Sequence, residues 1–271
     1  MKMFRWPFKI IILIVFVYFV YIIIYPFMVD VSSLKKKNPE LTAMMKYRIE
    51  QWGKKGKKIK IKKIWMPLNR ISPYLVKAVL IGEDDKFYRH SGFDIDGIKK
   101  AIEKDIREKK LKYGGSTITQ QLAKNLYLSP SKNPVRKIQE AIITWRIEKT
   151  LSKKRILELY LNVAEWGEGI FGAEAAARHY FGKSAFDLNP MESAKLTASL
   201  PNPIKYNPTG NSRFVEKRAH LIYFIMQKRG IIKEEYTEPE SDDVTPVLQE
   251  KKEETEKPSN PENENVQPPL K

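Results

Sequence analysis

An uninterrupted run of twenty uncharged residues, Ile10–Val29, is the feature that most limits how this chain can fold. Fifteen of these residues are Ile, Val, Leu or Phe. At about 1.5 Å per residue, a helix of this length spans ~30 Å, the thickness of the hydrocarbon core of a bilayer. A cleaved signal peptide has a shorter apolar region of about 7–15 residues, which ends at small residues. This run ends without Ala or Gly, so the sequence predicts a retained transmembrane helix over residues 10–29.

Basic residues flank the apolar run on both sides. Three of them lie within residues 1–9, and three more follow at Lys35–Lys37. The positive-inside rule therefore gives nearly equal counts, and large domains translocate largely regardless of charge. The residues alone leave the orientation of the helix open.

Charge is unevenly spread along the chain, whose net charge is +17. Residues 237–271 carry a net charge of −6, with six prolines and no aromatic residue. Such a segment cannot bury enough apolar surface to offset the entropy lost on ordering, so we predict a disordered acidic tail. The rest of the chain, at +23, suits a polyanion: nucleic acid, an anionic membrane surface or a phosphorylated substrate. The absence of cysteine excludes a disulfide scaffold, thiolate-held metal sites and a cysteine nucleophile.

Helix signals dominate the body of the chain, residues 30–236, which is long enough for one core. Thr117 and Gln120 have the spacing of a capping box that opens a helix over Ile118–Leu126. Ser72-Pro73 is a typical helix start. The predicted helices are 75–82, 118–126, 134–151, 155–162, 173–181, 191–200 and one from Asn211 or Ser212 to Gly230. The sequence therefore predicts a mainly α fold.

Two further patterns lie in the body. In the stretch that follows Pro134, Ile138, Ala141, Ile142 and Trp145 share one stripe, which is a helical spacing. Lys58–Trp65 alternates like a strand, and it belongs to a lysine-rich segment between two tryptophans. That segment is compatible with stacked nucleic-acid bases, with anionic headgroups and with a solvated basic hairpin.

The first of three polar blocks is Glu83–His90, with the sequence Glu-Asp-Asp-Lys-Phe-Tyr-Arg-His. It follows an apolar helix, and aromatic residues lie within it. A carboxylate partly desolvated by Phe87 and Tyr88 would have a raised pKa, as a general base requires. A solvated acidic helix end with a structural His90 explains this block equally well.

The second block is Gly114–Asn125, which begins Gly-Gly-Ser-Thr-Ile-Thr-Gln-Gln. Two glycines that lead into a helix start leave backbone N–H groups that can receive an anion. Lys124 lies two turns along, near the face of Gln120 and Gln121. An ordinary helix cap with exposed amides is the simpler interpretation of this block alone.

The third block is Arg136-Lys137-Ile138-Gln139-Glu140. Arg136 and Glu140 are four residues apart, so one interpretation is an exposed ion pair on a helix. The other is a second carboxylate that points into a cleft, with its arginine partner available for phosphate.

In this order the three blocks resemble the glycosyltransferase domain of peptidoglycan polymerases, the family that extends glycan strands from lipid II. The resemblance covers residues 64–230 and includes Ile156–Asn162, Gly172–Phe181 and the turn Leu200–Pro203. A chain without an acyl-serine domain is similar to the monofunctional biosynthetic transglycosylases. The resemblance implies a lysozyme-like, all-α fold with a smaller membrane-proximal lobe.

The resemblance also implies a location and a reaction. Residues 1–9 would be cytoplasmic, and the catalytic domain would lie on the outer face of the inner membrane. The 4-hydroxyl of an acceptor sugar attacks the anomeric carbon of the donor with inversion, and undecaprenyl diphosphate leaves. By carry-over from the family, Glu83 is the general base and Glu140 is the second essential carboxylate.

The departing diphosphate should be met by cations and neutral donors. The positions that the resemblance assigns to the diphosphate or the sugars are Lys100, Ser116, Thr117, Gln120, Gln121, Lys124, Lys132 and Arg136. No cofactor is implied as required. A divalent cation, Mg²⁺ or Mn²⁺, shares this task in some relatives, and Asp84 or Asp85 would then be drawn in.

The implied partners are lipid II, the growing glycan strand and membrane lipid, without nucleic acid. Cross-linking would fall to another protein, with penicillin-binding transpeptidases as the candidates. A lysozyme-like hydrolase and a non-catalytic membrane scaffold are the competing hypotheses. The hydrolase would not need cations for a diphosphate, and the scaffold would tolerate substitution of both glutamates.

Overall fold

A computed structural model describes residues 5–99, 103, 115–130 and 134–232 of the chain. Lys100, Lys132 and the predicted acidic tail at 237–271 lie outside the described residues. Most of the three polar blocks and all of the predicted helices fall within them.

The apolar run at the N-terminus is helical, as predicted. Helix α1 extends over Arg5–Met28, and by length and composition it is able to cross a membrane. Most of its side chains that the structure describes are exposed on the protein, as expected for a surface that faces lipid. Helix α1 is therefore consistent with a single-pass membrane anchor.

The body of the chain is mainly helical, which confirms the predicted fold class. Its further helices are α2 (Ala43–Lys54), α3 (Pro73–Glu83), α4 (Ile118–Tyr127), α5 (Pro134–Thr150), α6 (Lys153–Val163), α7 (Ala173–Phe181), α8 (Pro190–Ser199) and α9 (Arg213–Lys228). Short 3₁₀ turns lie at Ser32–Lys35, Leu68–Arg70, Phe87–Arg89 and Ala185–Asp187. Helix α2 was not among the predicted helices, although Thr42 caps it through its hydroxyl.

The strands form a small sheet in the order β1-β3-β2. Their bounds are β1 (Lys62–Lys63), β2 (Glu165–Gly167) and β3 (Ile170–Phe171). The predicted strand Lys58–Trp65 is therefore wrong in length. Strand β1 pairs in parallel with β3, and the pairing extends over only two residues of each strand. The alternating Ile59 and Ile61 lie before β1 and pack against the cluster that contains Trp52 and Phe171.

Helix α3 positions the first polar block because it packs on two cores. Leu75 and Val79 belong to the main core, which is built around α4 and α6. Ala78, on another face, packs with alanines of α8 and α9. The last residue of α3, Glu83, therefore lies where the two cores meet.

The apolar stripe predicted on α5 is not the face of this helix that packs on the core. Ile143 and Ile147 are the buried apolar residues of α5 that the structure describes, whereas Ile138 is 55% and Trp145 is 50% exposed. Apolar periodicity shows that residues share a face but not what covers that face.

The C-terminal end of helix α1 is fixed to the body by hydrogen bonds. The Tyr25 hydroxyl donates to the carbonyl oxygen of Tyr127 over 2.7 Å, and the Tyr127 hydroxyl donates to the carbonyl of Asp30 over 2.7 Å. The Arg146 guanidinium of α5 donates to the carbonyls of Pro26 and Val29. These bonds place the last turns of α1 alongside α5.

Candidate active site

The carboxylate of Glu83 is held on both oxygens by residues distant in the sequence. Gln121 of α4 donates its side-chain amide to Oε2 over 2.8 Å, and Arg218 of α9 donates to Oε1 over 3.0 Å. Arg218 also donates to the Gly82 carbonyl. The Tyr160 hydroxyl donates to Oε1 of Gln121 over 3.1 Å, which fixes the orientation of that amide so that its N–H groups face Glu83.

Burial raises the pKa of Glu83 above its ordinary value. The hydrogen bond from Gln121 and the positive charges of Arg218 and Lys124 act in the opposite direction. A carboxylate with this balance of effects has the raised basicity that a general base needs, while its cationic neighbours favour the ionised form. The alternative of a solvated acidic helix end does not fit Glu83.

Asp84, the next residue, ties the first block to the second. Its Oδ1 contacts Nε2 of His90 at 2.8 Å, and its Oδ2 accepts from the backbone N–H of Ile118 over 3.0 Å. The backbone N–H of Gly92 donates to Nδ1 of His90, so in neutral His90 the proton lies on Nε2 and is donated to Asp84. Asp84 and His90 therefore attach the start of α4 to the end of α3.

The start of α4 is capped by side chains, as the capping-box spacing predicts. The Thr117 hydroxyl accepts from the N–H of Gln120, and the Gln120 side chain accepts from the N–H of Thr117. The expectation that this helix start leaves its amides open to an anion does not hold for Ile118 and Gln120, since Asp84 and Thr117 occupy their N–H groups. A contact of Thr117 or Gln120 with substrate stays a prediction.

A cluster of charges surrounds Glu140 on α5. Arg136 donates to Oε2 of Glu140 over 2.6 Å, and Lys137 donates to Oε1. Glu140 is only 3% exposed, so the interpretation of this pair as an exposed ion pair was wrong.

Lys124 connects the Glu140 cluster with Glu83. Burial lowers the pKa of Lys124, while the charges of Glu140 and Glu83 raise it and those of Arg136 and Lys137 lower it further. Its ammonium group makes no hydrogen bond or ion pair with any residue that the structure describes. An anion bound beside Lys124 would therefore interact with a partly desolvated ammonium group that forms no ion pair with a described side chain.

A cavity of about 280 Å³ is lined by Glu83 and by Gly115–Thr117. Ser116, in that wall, accepts a hydrogen bond from Lys137 over 3.3 Å. The cavity and the Glu140 cluster are therefore adjacent. The structure brings together Glu83, Gln121, Lys124, Arg136 and Glu140, whereas Lys100 and Lys132 fall outside the described residues.

The sequence did not predict that Arg218 and Tyr160 belong to the site. It also did not predict that Lys137 contacts Glu140. A signal for Arg218 exists, because it lies on the same side of α9 as the buried Val215, Ala219 and Ile222. A charged residue within an apolar face needs a partner. The spacing does not reveal that this partner is Glu83, 135 residues away.

The proposed ligands of a divalent cation already have protein partners. Both oxygens of Asp84 are used by His90 and Ile118, and Asp85 forms an ion pair with Arg229. Across the described residues, no three His, Asp or Glu side chains gather into a metal-binding group. These residues do not fit a metal held by the protein alone, and we assign no step to one.

We expect Glu140→Gln to lower the free energy of unfolding by about 3 kcal/mol, near the lower end of the cost of breaking a buried ion pair. The lower end applies because the Lys137 side chain is half exposed. Urea unfolding in detergent micelles, followed by tryptophan fluorescence, measures this change. The matched control is Glu50→Gln, which breaks an exposed i,i+4 pair with Lys54 and should change the free energy of unfolding far less, because solvent screens an exposed pair. Equal losses in the two variants would contradict a buried role for Glu140.

Comparison with known proteins identifies the family. A family model described as Transglycosylase matches residues 52–227. The biosynthetic peptidoglycan transglycosylase of Nitrosospira multiformis is 47% identical over 194 residues, which cover 72% of this chain and 84% of that protein. The protein of the same name from Methylobacillus flagellatus is 45% identical over 75% of this chain and 90% of its own length. A third, from Azoarcus sp., is 51% identical over 65% of this chain and 77% of its own length. On this evidence, the chain is a member of the transglycosylase family.

Proposed function

We propose that this chain is a peptidoglycan polymerase that joins lipid II units into β-1,4-linked glycan strands and releases undecaprenyl diphosphate. The relatives named above carry the name of a biosynthetic peptidoglycan transglycosylase. The observation that carries the proposal is a largely buried carboxylate, Glu83, in the wall of a cavity that Ser116 also lines, together with the hydrogen bond that Ser116 accepts from Lys137, a partner of Glu140. Such a site has a base close to a group of cations, and an inverting displacement on a diphosphate donor requires both a base and charge stabilisation.

In this proposal Glu83 takes the proton of the acceptor 4-hydroxyl. The oxygen of that hydroxyl bonds to the anomeric carbon of the donor in the same step. The bond from that carbon to the diphosphate oxygen breaks at the same time, and the electron pair leaves with the diphosphate. Gln121 and Arg218 hold the carboxylate in place. Tyr160 acts through Gln121 and is therefore a positioning residue.

Lys124 and Arg136 stabilise the departing diphosphate in this proposal. Lys124 supplies a partly desolvated point charge, and the planar guanidinium of Arg136 suits contact with two phosphate oxygens. Glu140 accepts from Arg136 and Lys137, which orients both cations and limits their mutual repulsion. Lys100 and Lys132 remain further candidates for this role.

Helix α1 would hold this site beside the polyprenyl chains of its substrates, with residues 1–9 in the cytoplasm and the body on the outer face of the inner membrane. Encounter between enzyme and substrate then takes place in two dimensions. Cross-linking of the product would require a separate transpeptidase.

The proposal is tested by incubating the purified chain with fluorescent lipid II and, separately, with finished glycan. We expect a ladder of longer strands from lipid II and no shortening of the glycan. Shortened glycan together with unchanged lipid II would instead indicate a hydrolase. Unchanged lipid II and glycan in both reactions would contradict catalysis.

We expect Arg136→Lys to reduce strand synthesis at least about tenfold, because a lysine cannot make the bidentate phosphate contact. The matched control is Arg178→Lys on α7, where Arg178 also pairs with a buried glutamate four residues away, Glu174. This control should change the melting temperature but not the rate. Should Arg136→Lys likewise affect only the melting temperature, the arginine has a structural role alone.

A further inference from the structure

A groove between α3 and α6 lies apart from the candidate active site. Its volume is about 710 Å³, within the ~300–1,000 Å³ that is typical of ligand pockets. Its walls come from the first half of α3, the first half of α6, the turn Leu68–Arg70 and Phe186. Pro73, at the start of α3, lines the groove, whereas Glu83 is the last residue of that helix. The groove and the proposed base are therefore separated by ~15 Å along α3.

Apolar side chains form much of the lining of this groove. Ile71 is buried, while Leu68 and Val76 are partly exposed. Phe186 is 56% exposed. Single exposed apolar residues are ordinary, but an aromatic ring grouped with aliphatic residues around a concave surface marks a site that contacts something apolar.

The charged residues that line the groove leave it positive. Arg155 pairs with Glu158, whose second oxygen accepts from the backbone N–H of Leu68 over 3.0 Å. Lys77 and Lys154 are exposed, and neither forms an ion pair with a residue that the structure describes. A negatively charged ligand in the groove would therefore meet two ammonium groups that no described carboxylate neutralises.

The wall at Arg155 is held in place by the fold itself. Its guanidinium donates to the carbonyls of Leu34 and Lys37 over 2.8 and 2.9 Å. The pair with Glu158 then joins α6 to the turn Leu68–Arg70. A preformed surface of this kind loses little conformational entropy when a ligand binds, which favours affinity.

We propose that this groove is a docking site for an acidic segment of a partner protein. The segment inserts an apolar side chain between α3 and α6, while its carboxylates contact Lys77 and Lys154. Protein interfaces typically combine an apolar centre with a polar rim, and charge complementarity selects the partner and speeds association. This docking goes beyond the proposed reaction and does not depend on it.

The polar part of the lining favours a protein segment over a lipid. Asn69 is exposed at the groove, and its side-chain amide makes no hydrogen bond with any residue within the described ranges. An amide can donate to and accept from the backbone of a peptide. An acyl chain offers neither a donor nor an acceptor.

A library of random linear peptides displayed on phage tests the proposal. It is selected against the full chain in nanodiscs of phosphatidylethanolamine and phosphatidylglycerol, and enriched peptides are titrated by fluorescence anisotropy. We expect these peptides to combine Asp or Glu with an aromatic or aliphatic residue. Their binding should weaken as salt is added, because salt screens exposed charges.

The apolar contact is tested with Phe186→Ser, which should weaken peptide binding at least about tenfold, as loss of an aromatic anchor does at protein interfaces. The matched control is Phe224→Ser on α9, which removes an aromatic side chain that is 58% exposed and lies outside the groove. This control should bind the peptides as tightly as the unaltered chain. Melting temperatures confirm that both variants are folded.

The charge contact is tested with the double variant Lys77→Glu and Lys154→Glu. Selection against this variant should enrich basic peptides that retain the apolar residue. The double variant Lys46→Glu and Lys228→Glu reverses two exposed lysines outside the groove and should still enrich acidic peptides. This control separates docking in the groove from a general attraction to a basic protein.

Peptide binding that Phe186→Ser and the charge reversal leave unchanged would overturn the proposal, as would a library from which no peptide is enriched. Peptides that bind the chain in detergent micelles but not in nanodiscs would show that lipid covers the groove. Self-association that Phe186→Ser abolishes would show that a second copy of the chain occupies it. Either of these results would also overturn the proposal.

Discussion

Replacing Glu83 by Gln should lower the rate of strand synthesis by roughly 10²–10⁴-fold, the usual contribution of a positioned general base. The substitution preserves the shape of the side chain and leaves an oxygen that can accept from Gln121 or Arg218. It also removes a buried charge. We therefore expect an unchanged or higher melting temperature and nearly unchanged binding of lipid II.

Initial rates with fluorescent lipid II, separated on gels, measure this effect, and lipid II binding is measured on the same preparations. Glu50→Gln serves as the control, since Glu50 is exposed and pairs with Lys54; its rate should match that of the unaltered chain. Near-normal synthesis by Glu83→Gln would remove Glu83 from the role of base. An equal loss of binding and rate would assign it to substrate binding instead.

Replacing Arg218 by Gln should move the acidic limb of the pH–rate profile upward by about 1–3 pH units, the effect of an adjacent opposite charge on a carboxylate pKa. Burial raises the pKa of Glu83, and the charge of Arg218 opposes that rise. Without this charge the pKa of Glu83 rises further. The carboxylate is then protonated, and inactive as a base, at pH values where the unaltered enzyme is active. Because the base ionises again at higher pH, the rate should recover there.

The profile of kcat/KM against pH measures this shift, because it reports ionisations of the free enzyme. Arg218→Lys retains the charge and should restore most of the original limb. Arg229→Gln, which removes the partner of the neighbouring Asp85, should leave the limb in place. A uniform loss of rate at every pH in Arg218→Gln would show that Arg218 only supports the fold.

The sequence predicted those parts of the fold that depend on neighbouring residues. The capping box of Thr117 and Gln120 is confirmed, because its hydrogen bonds join residues three apart. The predicted helices are all present within the described residues, with ends that shift by a few residues. The predicted strand at Lys58–Trp65 failed because a strand's length depends on its partner, which here lies more than a hundred residues away.

The site was predictable in composition but not in geometry. The motifs indicated Glu83, Lys124 and Glu140, yet only the fold shows that Lys124 lies within the electrostatic influence of both carboxylates. Arg218 reaches Glu83 because α9 packs beside α3, a long-range contact that no local pattern encodes. The stripe on α5 was predicted, but the burial of Ile143 and Ile147 and the exposure of Ile138 and Trp145 were not, because periodicity alone does not show which face of a helix packs on the core.

The most direct test of the account is the structure of Glu83→Gln with lipid II bound in both the donor and acceptor positions. We predict that the acceptor 4-hydroxyl lies about 2.6–3.2 Å from the side chain at position 83, as a general base requires. The donor diphosphate should contact Lys124 and Arg136. An acceptor hydroxyl directed away from position 83, or a diphosphate bound on another face of the protein, would contradict the account.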